Sequence, residues 1–110
     1  MQTINFKTGD TFSLDCQILD SNGGAVDLSG LTLTSKITGS GLSSVLTVTV
    51  TNAATGSINL SASATDTSTW PGNIEGLGVA QYGYLDIART DGTVVKHSPT
   101  LRVLMTKGIA

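Results

Sequence analysis

The chain has 110 residues, of which 17 are Thr and 13 Gly, with 13% charged and a formal net charge of −2. That length suits one domain, residues 1–110, with roughly two-thirds of the unfolded chain's surface buried. Scattered cations (Lys7, Lys36, Arg89, Lys96, Arg102 and Lys107) argue against nucleic-acid binding, a lone Cys16 excludes an internal disulfide, and no stretch approaches the ~20 apolar residues of a membrane span.

Ile4 and Phe6 suggest a short first strand, broken by Thr8-Gly9-Asp10. From Thr11 to Ile18 the chain alternates, with Phe12, Leu14, Cys16 and Ile18 on one face, the pattern of a half-buried strand. Asn22-Gly23 tolerates positive φ and reverses the chain. Val26-Asp27-Leu28-Ser29-Gly30 then reads as an extended arm. Its Asp27 is expected to accept backbone N–H bonds, Leu28 to plug the core and Gly30 to turn the chain.

Leu31 to Thr38 alternates again, with Leu31, Leu33 and Ile37 inward; Ser35 interrupts this set and suggests a sheet edge. Val45 to Thr51 places Leu46, Val48 and Val50 opposite Thr47, Thr49 and Thr51, and Ser57 to Ala62 turns Ile58, Leu60 and Ala62 inward. Alternation stops from Ser63 to Gly78. There Thr65 to Trp70 predicts one helical turn, capped by Thr65 or Asp66, followed by a loop from Asn73 containing Glu75. Val79 to Ala88 predicts a strand with Leu85 and Ile87 on one face and Tyr82, Tyr84 and Asp86 on the other. Asp91-Gly92 marks a hairpin turn, Pro99 a break, and Leu101, Val103 and Met105 the inward side of the last strand.

Seven or eight short strands, with turn signals every ~8–12 residues, predict an all-β fold: an immunoglobulin-like antiparallel β-sandwich. Phe12, Leu14, Leu33, Val48, Leu60, Leu85 and Val103 are its expected core.

Little in the sequence points to a reaction, and no enzyme activity and no cofactor are expected. His97 is the single histidine, and its neighbour Ser98 points to the opposite face of a strand, so a Ser-His pair is not set up. One Cys and one His cannot close a zinc site. Asp20, Asn22 and Gly23 open like a calcium loop, but the later acidic ligands are missing, and an Asx turn accounts for them. Cys16 reads as a small buried residue. The candidate binding residues are the aromatics Trp70, Tyr82 and Tyr84. If the two tyrosines share an outer face they could stack a sugar ring or a partner protein; Trp70, beside Pro71-Gly72, is expected to cap the core.

The order of these motifs resembles the small β-sandwich domain at the N-terminus of phage baseplate upper proteins and related tail-fibre proteins. The marks are Thr8-Gly9-Asp10-Thr11, Asn22-Gly23-Gly24 leading to Asp27-Leu28-Ser29-Gly30, and Ala54-Thr55-Gly56. They continue with Ala64-Thr65-Asp66-Thr67 before Trp70-Pro71-Gly72, then Tyr84-Leu85-Asp86-Ile87 and Thr90-Asp91-Gly92-Thr93. The likeness implies a virion structural protein, assembled in the host cytoplasm, that attaches fibres or joins subunits of a tail or baseplate and associates with other virion proteins or its own copies. The chain ends at Ile109-Ala110, soon after the last strand, which implies an adaptor or a capsid decoration or cement subunit. A glycan-binding β-sandwich module, taking a host glycan, is the alternative. Neither nucleic acid nor membrane is an expected partner.

Overall fold

The computed structural model describes residues 2–20, 22–39, 41–74 and 78–107. Nine strands form one sheet: β1 (Thr3–Thr8), β2 (Phe12–Gln17), β3 (Thr32–Gly39), β4 (Leu42–Asn52), β5 (Ser57–Ala62), β6 (Asn73–Ile74), β7 (Gln81–Asp91), β8 (Val94–His97) and β9 (Leu101–Lys107). A single helical turn, α1 (Ala64–Thr67), lies between β5 and β6. The strand order is β1-β9-β7-β3-β4-β5-β2, with β6 also on β9 and β8 also on β7.

The expected all-β class is what the chain adopts, and the sheet is rolled nearly into a barrel. Strand β4 makes the roll. Its first part, Leu42 to Leu46, pairs with β3, and its second part, Thr47 to Asn52, pairs with β5. The sheet therefore has a large half (β1, β9, β7, β3 and the start of β4, with β6 and β8) and a small half (β2, β5 and the rest of β4). The far edges, β1 and β2, come together where Phe6 and Phe12 meet edge to face, ring centroids 5.1 Å apart. Trp70 packs on both rings at 5.6 Å.

Period-two alternation builds the core. Phe12, Ile37, Leu46, Ile58, Leu60, Leu85, Val103 and Met105 are buried, while their sequence neighbours face out. Of the expected core, Leu14, Leu33 and Val48 are half-buried residues packed against this cluster rather than members of it. Cys16 is likewise half-buried; burial first, and then the charge of Asp15, raises its thiol pKa.

Several expectations are corrected. The pairing is not wholly antiparallel: β1 and β6 run parallel to β9. The first and last strands have no connecting turn to force them antiparallel, and β1 supplies Ile4 and Phe6 to the core from that edge. Ser35 is at no edge. It is 5% exposed, in a strand flanked by β4 and β7, and its Oγ donates to the Asp86 carbonyl at 2.6 Å. A buried hydroxyl is tolerated once it is hydrogen-bonded. The cap of α1 is Ser63, whose side chain accepts from Asp66 N, not Thr65 or Asp66. Asn73–Ile74 forms β6 where a loop was expected. Glu75 and residues 108–110 lie outside the described residues.

The arm behaves as expected. Asp20 Oδ1 accepts from Asn22 N and Gly24 N, at 2.8 and 2.9 Å, in an Asx turn. Leu28 is 3% exposed, and its N–H donates to the Ala53 carbonyl at 2.9 Å. Asp27 Oδ1 accepts from Ser29 N at 2.9 Å, and the Ser29 backbone and side chain hold the Asp27 carboxyl below its usual range. Beneath β1 and β2, Thr67 Oγ1 accepts from Gly9 N and donates to the Asp10 carbonyl. That hydroxyl ties the β1–β2 turn to α1.

Candidate binding site

Strand alternation sends Tyr82, Tyr84, Asp86 and Ala88 of β7 to the outer face of the large half. The register sets their neighbours. Tyr84 lies opposite Thr38 of β3 on one side and Arg102 of β9 on the other. Asp86 lies opposite Lys36, and Lys36 opposite Val45 of β4. Ala88 lies opposite His97 of β8. The result is a groove of about 600 Å³ whose lining includes Lys36, Thr38, Val45, Tyr84, Asp86 and His97, within the size range of ligand sites. Val45, 76% exposed, forms an apolar rim.

Two glycines shape this face from beneath. Gly39 has φ +128°, and a Cβ there would meet the Tyr82 carbonyl oxygen at 2.7 Å and Tyr84 Cδ2 at 3.2 Å. The Tyr84 ring can therefore sit against the backbone of β3. Gly83, between the tyrosines, faces the core, where a Cβ would meet Ile37 Cδ1 at 2.7 Å. Its missing side chain lets Ile37 fill the space under the tyrosines.

The three candidate aromatics separate. Tyr82 and Tyr84 share the outer face, Tyr84 being 37% exposed. Trp70 is 4% exposed within the core and offers no ring face to solvent; its Nε1 is buried without a hydrogen-bond partner. It fills the capping place expected for it.

Residues that sequence reasoning did not bring together also gather here. All six Lys and Arg side chains lie on strands of the large half: Lys7 on β1, Lys36 on β3, Arg89 on β7, Lys96 on β8, Arg102 and Lys107 on β9. Lys7, Lys36 and Arg102 alternate to its outer face. His97 Nδ1 lies 3.3 Å from Asp86 Oδ2, a contact that becomes an ion pair when the imidazole carries a proton. Arg102 is held in a defined pose: its Nε donates to Thr3 Oγ1 at 2.9 Å, and its Cζ sits 4.7 Å from the Tyr82 ring centroid, a cation–π contact. Among the described residues its Nε is the guanidinium nitrogen that makes a hydrogen bond.

Ser98 is occupied structurally. Its Oγ accepts from Ile87 N at 2.8 Å and donates to the Pro99 carbonyl. Among the described residues no group of three or more His, Cys, Asp or Glu side chains could hold a metal ion. No helix among them is long and apolar enough to cross a membrane. Two further cavities, of about 510 and 340 Å³, flank the inner side of the β7–β8 hairpin, where Arg89 and Lys96 face the arm.

Neither a known protein family nor a curated protein sequence matches this chain.

Proposed function

We propose that this protein is a non-catalytic structural subunit of a bacteriophage particle, a tail or baseplate adaptor. The observation that carries the reading is the order of its turn motifs. Each quoted motif before a strand occupies a turn or arm that the fold uses. Gly9, Gly23, Gly30, Gly56 and Gly92 all take positive φ at these joins, and Leu28 and Thr67 are buried beneath them. The switch of β4 between the two halves of the sheet supports an immunoglobulin-like sandwich as the finer description, with the parallel β1–β9 pair closing one side. Attachment to neighbouring subunits falls to the segment between β5 and β7, where α1 leaves Thr65, Asp66 and Ser68 exposed and Val79 is 76% exposed. A low-charge surface suits such contacts, since little charge is desolvated on association. Mass spectrometry of purified particles tests the reading: the chain is expected in them at a copy number set by the particle's symmetry. Its presence in infected cells with absence from particles would refute it.

A second reading, a glycan-binding module, is favoured by one observation: Tyr84 is exposed beside Lys36, Asp86 and His97 in a groove. An apolar ring face bordered by hydrogen-bonding side chains is the arrangement that takes a sugar ring. Adaptor and glycan binder are compatible, because the segment proposed for attachment and this groove involve different residues.

A further inference from the structure

We propose that the outer face around Tyr84 selects a saccharide carrying a carboxylate, with the sugar ring on Tyr84 and the carboxylate on Arg102; this rests on the glycan-binding reading and specifies its ligand. Tyr84 and Arg102 are direct neighbours across the β7–β9 ladder, so their side chains emerge on one face about 5 Å apart at the base. A guanidinium recognises a carboxylate through two parallel N–H bonds, and it does so best when its plane is already fixed.

Arg102 meets that condition. Thr3 Oγ1 takes its Nε proton, and the Tyr82 ring supports it at 4.7 Å. The nearest row of the face, Lys36 and Asp86, is suited to sugar hydroxyls: Lys36 donates and Asp86 accepts, and Asp86 is steadied by His97 at 3.3 Å. The gathering of Lys7, Lys36 and Arg102 on one outer face, against Asp86 there, gives this surface a positive field in a chain whose formal net charge is −2. That field steers an acidic sugar toward the face, while the preference at equilibrium rests on the paired N–H bonds of Arg102.

The test is a set of 15N–1H NMR titrations of the full chain. The probes are a mannuronate tetramer, the mannose tetramer of the same linkage, and inorganic polyphosphate. The acidic tetramer is expected to bind at least about tenfold more tightly than the neutral one, with shifts centred on Tyr84 and Arg102. Arg102→Ala and the charge-conserving Arg102→Lys should both remove most of that preference while neutral binding stays. Tyr84→Ala should weaken both sugars. Equal binding of the two tetramers, or a preference that survives in Arg102→Lys, overturns the proposal and leaves the glycan reading standing. Binding of neither tetramer overturns both. Polyphosphate bound as tightly as mannuronate and indifferent to Tyr84→Ala would show a general cationic surface and overturn the proposal.

Discussion

The two outer faces of this rolled sheet are built from the same strand geometry and carry opposite kinds of side chain. Over the small half, Ser13, Asp15 and Gln17 of β2 stand opposite Ser61, Asn59 and Ser57 of β5, with Thr47 and Thr49 of β4 beyond. Several of these groups are held by hydrogen bonds within the face or to the backbone beside it. Asn59 Nδ2 donates to Ser13 Oγ and Asp15 Oδ1, both at 3.0 Å, and Gln17 Nε2 donates to the Thr55 carbonyl. Over the large half stand tyrosines and cations, and there Arg102 is oriented while Lys36 carries no carboxylate partner among the described residues. The small-half face is cross-linked by amide side chains, whereas the large-half face carries rings and cations with fewer side-chain hydrogen bonds among the described residues. On the glycan-binding reading proposed above, that difference is why the ligand is assigned to the large half.

Mutations distinguish the two faces from each other and from the core beneath them. The largest effect is expected beneath both faces. Leu28→Ala should cost about 2–4 kcal/mol in denaturant unfolding, since the arm loses its buried plug and the site cannot collapse freely; an unchanged unfolding midpoint would remove Leu28 from the core. Next, Gly83→Ala should cost about 1–3 kcal/mol, because Ile37 must move from under the tyrosines. A melt as stable as the parent's would show that Ile37 has room to give. Asn59→Ala should lose about 0.5–1.5 kcal/mol with no change in ligand titrations, as a cross-strand network loses its hub. Arg102→Ala should stay within about 0.5–1 kcal/mol of the parent, since one exposed hydrogen bond and one exposed cation–π contact contribute little. If Asn59→Ala proves silent and Arg102→Ala strongly destabilising, the roles of the two faces are reversed.

The smallest effect concerns Cys16, on the inner side of β2. Its thiol is raised by burial, so less thiolate exists at a given pH than in an ordinary cysteine. Alkylation at pH 8 should be slower than for a short unstructured cysteine peptide, and its rise with pH should be displaced upward. The sign for stability follows. Any contribution from the raised thiol is complete below the pKa of the unfolded thiol and is lost as pH rises through the folded value. A peptide-like alkylation profile would contradict the burial of Cys16.

Much of the fold was legible because alternation fixes each strand's inner face by itself. Ile58, Leu60 and Ala62, or Val103 and Met105, need no knowledge of their neighbours to be assigned inward. Adjacency was not legible. That β7 lies between β3 and β9, and that β1 joins β9 in parallel, depends on pairings between distant segments that leave no local signature. The same limit governs the site. Tyr82 and Tyr84 could be placed together from their spacing on one strand. Arg102 and Lys36 could not, because they reach Tyr84's surroundings only through the register of two other strands. Cations that look scattered in the chain therefore gather on one half of the sheet. Ser35 misled for a related reason: its polarity suggested an edge, while its hydroxyl is satisfied by a carbonyl of the adjacent strand.

Hydroxyl-radical footprinting of the protein in purified particles and free in solution separates the proposed attachment segment from the Tyr84 face. Thr65 to Ile74 and Val79 are expected to become protected in the particle while Tyr84 and Val45 remain as reactive as in the free chain. Protection of Tyr84 with unchanged labelling around α1 would contradict this assignment of surfaces, and absence of the chain from the particles would contradict the structural role itself.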